Sequence, residues 1–162
     1  MLGIIGSEYD YIIQAAVHRT LSLKIPVCNF FVFGLAAFLV GFINENNWVR
    51  RKVNVFFQSI LATLTILAVE LISGIILNIV LKLDIWSYKG WFLNVLGQIA
   101  FWPAMLWFVS SPLVIWTDDT MRYYLNGEGS LYRLDKLYLS FLNPFAKPFF
   151  REPIRKRKKN RN

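Results

Sequence analysis

The stretch Val53–Leu81, VNVFFQSILATLTILAVELISGIILNIVL, decides the fold. Seventeen uncharged residues precede Glu70 and eleven follow it, so neither side of that carboxylate leaves room for two membrane spans and a turn. The stretch reads as one long, tilted helix of ~43 Å at 1.5 Å per residue. A carboxylate inside such a run costs several kcal/mol unless it finds a partner. The same holds for Asn78, eight residues on.

Working outward, the composition supports a membrane protein. The chain has 162 residues, of which 56% are hydrophobic, and the apolar residues come in blocks rather than scattered. The net charge is +8, yet eleven of the eighteen Lys and Arg residues lie after residue 120, so the basicity belongs to one end of the chain. Aromatic residues sit within apolar runs instead of alternating with basic ones, which speaks against a nucleic-acid partner. A single Cys28 and a single His18 supply neither an internal disulfide nor a metal framework, and no metal or cofactor is expected.

Two further blocks flank the first. Residues 25–44 carry no Asp, Glu, Lys or Arg and match the ~20 residues a helix needs to cross the hydrocarbon. Gly34, Ala37 and Gly41 form a stripe of small residues on it that favours close helix packing. Residues 90–117 are again uncharged and contain Pro103 and Pro112. The expected fold is therefore an all-α membrane protein with three transmembrane helices, 25–44, 53–81 and 90–117, forming a domain over 25–117. Trp86 and Tyr88 in the second loop suit the interfacial aromatic belt.

The flanks are too charged to span. Residues 1–24 read as an amphipathic segment in the headgroup region, and the absence of a basic start and cleavage site assigns insertion to the first span. Residues 118–150 read as an aromatic interfacial segment, divided by a turn at Asn126–Ser130, and residues 151–162 as a polybasic disordered tail. Arg155, Lys156, Arg157, Lys158 and Lys159 in that tail are expected to contact anionic lipid. With three spans, fourteen basic residues share the side of the first loop and the tail, against four on the other side. The positive-inside rule then places the amino terminus out and the carboxyl terminus in.

The candidate functional residues are the polar ones within the spans. Glu70, Gly74 and Asn78 recur every four residues on one face of the second helix, and Asn94, Gly97 and Gln98 share a face if the third helix includes them. Antiparallel packing brings these faces to matching depth and predicts that Glu70 pairs with Gln98 or the Trp102 N–H. The faces serve either as polar glue between helices or as the lining of a wet path or substrate cleft with Glu70 as its protonatable group. At the cytoplasmic exit, Asp118, Asp119 and Arg122 form a second charged cluster in which Asp118 and Arg122 can pair at i, i+4.

The run Glu70-Leu71-Ile72-Ser73-Gly74 with Asn78, followed by Trp86, Tyr88, Asn94, Leu96-Gly97-Gln98, Leu106-Trp107 and Asp118-Asp119, resembles the ABC-transporter type IV, CmpB-like family of small bacterial membrane proteins. The resemblance implies a transport-related protein of the bacterial cytoplasmic membrane. The chain carries no G-x-x-x-x-G-K-[ST] motif, so it is not itself the ATPase, although an ATPase partner fits the family name. Three helices are too few to enclose a path, and a homo-oligomer is expected. A permease-like or channel-forming subunit is the leading reading; a holin forming membrane lesions and a membrane scaffold are the alternatives. No nucleophile and base pair points to an enzyme.

Overall fold

The computed structural model describes residues 27–152, Ala146 excepted. Among them the chain is helical and no strand forms, though Val95 and Ile99 make an isolated bridge. The helices are α1 (Val27–Glu45), α2 (Asn47–Lys52), α3 (Val55–Gly74), α4 (Phe101–Asn126) and α5 (Leu134–Phe141). α3 runs directly into a π-helical turn, Ile75–Val80. The expectations for residues 1–24 and for most of the polybasic tail, including Arg155 to Lys159, lie outside the described residues.

Local chemistry sets the helix ends. The Asn46 side chain accepts from the Trp48 and Val49 N–H groups and so caps α2, which closes on Arg50, Arg51 and Lys52 at its negative end. Asn54 starts α3 in the same way, its Oδ1 taking the Phe56 N–H at 2.9 Å. In α4, Pro103 falls in the first turn, where a missing N–H leaves nothing unpaired. Pro112 lies in the interior of α4 and is fully buried. It cannot donate to the carbonyl four residues back, so that bond of the ladder is lost.

The third expected span is corrected. The helix begins at Phe101 rather than Gly90 and continues past Thr117 to Asn126. Residues 81–100 form a loop in which Gly90 and Gly97 take φ of +85° and +70°, and Leu93 and Leu96 take +49° and +53°. Those left-handed residues break a right-handed helix outright. In α4 only residues 101–117 are uncharged, and this stretch is diluted by two prolines, two serines and three tryptophans. Two described helices, not three, are long and apolar enough to cross a membrane: Cys28–Glu45 and Val55–Val80. Only 39% and 33% of their 18-residue apolar windows are buried, and large apolar side chains such as Phe31, Phe38, Leu64 and Ile72 face outward. A core helix of a soluble protein would be enclosed; this exposure suits an apolar solvent.

The described residues divide into two compact units, one comprising Thr65–Met105 with residues 27–39, the other Val40–Leu64 with residues 106–152. In the second unit, Val55, Ile115, Leu137 and Phe141 form a buried cluster with Phe56, Phe108, Trp116, Tyr132, Tyr138 and Phe149 around it. Phe56 meets Phe108 edge-to-face at 5.4 Å, one of the favoured aromatic geometries. Within the 118–150 segment, α5 turns Leu137 and Phe141 into this cluster. Phe145 and Phe150 remain exposed.

Candidate functional site

The first polar centre belongs to the first unit. Glu70 is buried near the end of α3, with 2% of its surface exposed, and its Oε1 accepts from the Tyr88 hydroxyl at 3.2 Å. Tyr88 is held from its backbone, whose N–H donates to the Gly97 carbonyl at 2.7 Å. The expected partners of Glu70 were Gln98 and Trp102. Gln98 does reach this face, but its Oε1 accepts from Asn78 Nδ2 at 2.7 Å, and the Trp102 side chain is exposed. Tyr88 and Trp86, assigned by sequence to the aromatic belt, are instead buried within the loop.

Asn78 sits in the π-helical turn and uses its whole amide. Besides Gln98, its Nδ2 donates to the Trp86 carbonyl at 3.0 Å, and its Oδ1 accepts from the Ile85 N–H at 2.7 Å. Gln98 is equally committed: its Nε2 donates to the Leu96 carbonyl at 3.0 Å, and its own carbonyl takes the Trp86 indole N–H at 3.1 Å. Gly74 lets Gln98 come close. Gly97 takes its positive φ inside the loop against Lys89, where a Cβ would meet Lys89 Cγ at 2.8 Å. Asn94, also in the loop, donates to the Trp91 carbonyl and accepts from the Gly97 N–H. Five of the six polar-face residues thus fasten the loop, and the sixth, Glu70, meets it through Tyr88.

The second centre is an ion cluster in the second unit. Asp119 is buried, with Arg50 Nη1 at 2.5 Å from Oδ1 and Arg151 Nη1 at 3.0 Å from Oδ2. The Tyr132 hydroxyl donates to Oδ2 at 2.6 Å and Asn44 Nδ2 to Oδ1 at 2.9 Å. Arg151 also donates to Asn44 Oδ1 at 2.7 Å and to Gln58 Oε1, while Arg50 reaches the Glu152 carbonyl at 3.2 Å. Burial pushes the Asp119 carboxyl up, but the charges of Arg151 and Arg50, with hydrogen bonds from Arg50 and Tyr132, outweigh it and hold the group below its usual range. Burial first, then the Asp119 charge, raises the Tyr132 phenol.

Asp118 lies at the rim of this cluster. It accepts from Arg122 Nε at 3.1 Å and Asn44 Nδ2 at 2.7 Å, and Arg122 also pairs with Glu45 at 2.7 Å. Gly41 opens room for it, since a Cβ there would stand 3.4 Å from Asp118 Oδ1. Both carboxylates are therefore taken up by guanidinium and amide donors. Sequence reasoning flagged Asp118, Asp119 and Arg122 but missed Asn44, Gln58, Tyr132 and Arg151 as members. Asn44 and Arg151 stand 107 positions apart, and no local spacing announces such a meeting.

A family model described as "Putative ABC-transporter type IV" matches residues 4–140. No curated protein and no solved structure matches the chain.

Proposed function

From the premise that the chain belongs to this ABC-transporter type IV family, we propose that it is a permease-like or channel-forming membrane subunit acting as an oligomer around the Glu70 face, without an ATPase of its own. The observation that carries this reading is the burial of Glu70 within a helix apolar enough to cross a membrane, hydrogen-bonded to Tyr88. An intramembrane carboxylate that served only as glue would be an expensive choice, because an amide makes the same bonds without a charge. Glu70 thus acts as the proton-carrying or cation-contacting group, and Tyr88 orients it.

In this reading α4 carries the chain back across the bilayer, so that the basic loop and the carboxyl-terminal segment share one face of the membrane. Support comes from Arg50, which pairs with Asp119 and donates to the Glu152 carbonyl, three residues before the basic run that starts at Arg155. By the positive-inside rule that face is cytoplasmic, where the tail meets anionic lipid.

The test is solute-dependent growth and proton-coupled uptake in a strain whose own copy is replaced by Glu70→Gln or Glu70→Ala. Glu70→Gln keeps an acceptor for Tyr88, so protein level holds while transport falls at least tenfold. Unchanged uptake with Glu70→Gln would reduce the site to helix packing. Rapid loss of membrane integrity on induced expression of the native chain would favour the lytic reading instead.

A further inference from the structure

The loop between the π-helical turn and α4 has an unusual outer surface. Phe92, Leu93, Val95 and Leu96 are all exposed, Leu93 and Leu96 by 66% and 61%. Both leucines hold the left-handed conformation, which bulky side chains avoid and which glycine or asparagine would adopt at less strain. The loop keeps bulky apolar groups there, pointing out, and has no charge anywhere between Gly90 and Thr117. In water such a cluster is a liability.

Much of the backbone of the same loop is paired internally. The Val95 N–H donates to the Ile99 carbonyl, the Gln98 N–H to Val95, the Trp91 N–H to Tyr88 and the Tyr88 N–H to Gly97, at 2.7 to 3.0 Å. Asn94, Gln98 and Trp86 side chains take further carbonyls. Internal pairing is the condition under which irregular backbone can approach hydrocarbon, since lipid tails offer no hydrogen bonds. The exposed apolar surface of Ile76, Ile79, Val80 and Leu81 leads directly into this loop.

We propose that Phe92, Leu93, Val95 and Leu96 form a tip that inserts among the acyl chains at the edge of the bilayer, so that the lipid is the partner of this surface. The buried Asn78, Trp86 and Gln98 act as the rigid base that holds the tip in its strained shape. The proposal rests on the membrane reading of α1 and α3 and is independent of what Glu70 does.

The experiment uses the full chain with its single cysteine removed, Cys28→Ser, and a nitroxide attached at Leu96→Cys or, separately, Phe92→Cys. The protein is reconstituted in phosphatidylcholine–phosphatidylglycerol vesicles, and collision with oxygen is compared with collision with a water-soluble nickel chelate. Ile76→Cys serves as the lipid-facing reference and Asn126→Cys as the water-facing one, and circular dichroism confirms that each variant keeps its helix content. Both tip sites are expected to give an oxygen-to-nickel ratio several-fold above Asn126→Cys and close to Ile76→Cys. A ratio at the Asn126→Cys level, which places the tip in water, overturns the proposal. So does low access to both reagents, which means that protein, such as a second copy of the chain, covers it.

Discussion

Gln98 lies against Gly74 so closely that a Cβ on that glycine would stand 2.5 Å from Oε1 and 2.9 Å from Cβ of Gln98. In an open helix Gly→Ala stabilises by roughly 1 kcal/mol. Here the added methyl meets a side chain that cannot swing away, because Asn78 and Leu96 hold its amide. Overpacking of about 1–3 kcal/mol wins. Gly74→Ala is therefore expected to lower the melting midpoint in detergent micelles. The double variant Gly74→Ala/Gln98→Ala should lose less than the sum of the singles, since truncating Gln98 removes the closest contact, that with Oε1, and frees the remaining Cβ from the anchored amide. Additive losses would count against the contact.

Asn78→Ala removes three hydrogen bonds at once, to Trp86, Gln98 and the Ile85 N–H. Each buried group left unpaired costs about 1–3 kcal/mol. The damage is expected to be local, because α3 continues to be held by its own ladder. Hydrogen exchange should accelerate at the amides of Ile85, Trp86 and Tyr88 while the middle of α3 keeps its protection. Asn94→Ala, whose bonds lie on the exposed side of the loop, should change exchange less.

The contrast between α3 and the loop after it explains what the sequence could tell. α3 was legible because 29 residues around one charge admit few alternatives, and the period that places Glu70, Gly74 and Asn78 on one face survives into the π-helical turn. Residues 90–100 misled because hydropathy reports solvent and not backbone: an apolar loop with its hydrogen bonds closed internally has the composition of a helix. Only Gly90 and Gly97 hinted at it, and leucines at positive φ have no sequence signature. The closeness of Gln98 to the Glu70 face was readable from its position, but its commitment to Asn78 was not. In the second unit, the i, i+4 pair of Asp118 and Arg122 could be read locally, whereas the convergence of Asn44, Arg50, Asp119 and Arg151 is a property of the tertiary fold.

Among the described residues, Asp119 is the single carboxylate that directly pairs both Arg50 and Arg151, so the members of this cluster are not equivalent. Removing its charge leaves two buried guanidinium groups facing each other, and loss of one partner from a buried pair costs roughly 3–5 kcal/mol. Arg151→Met leaves a balanced Arg50–Asp119 pair and lets a methionine fill the space, though Asn44 and Gln58 each lose a donor. Asp119→Asn is thus expected to lower the melting midpoint more than Arg151→Met. Limited proteolysis should then cut near residue 151 readily in both variants. The reverse order of melting midpoints would mean that the cluster is held by packing and not by charge.

The same cluster sets both ends of the pH range. Although burial raises Asp119, the guanidinium groups of Arg151 and Arg50 bring it below its ordinary 3.8 in the folded chain. A depressed carboxyl stabilises the fold fully above that ordinary value, and the contribution drains away as pH falls below it. Tyr132 behaves oppositely, raised by burial and by the Asp119 charge from an ordinary 10.0. Its contribution is complete below that value and is lost as pH climbs past it, when the unfolded phenol ionises and the folded one resists. The melting midpoint in micelles should therefore have an acid limb below about pH 4 that is reduced in Asp119→Asn, and an alkaline limb above about pH 10 that is reduced in Tyr132→Phe, both set by the ordinary carboxyl and phenol values. Each variant minus wild type isolates one limb from the other titrating groups. An acid limb of equal size in Asp119→Asn would place the responsible carboxylate elsewhere.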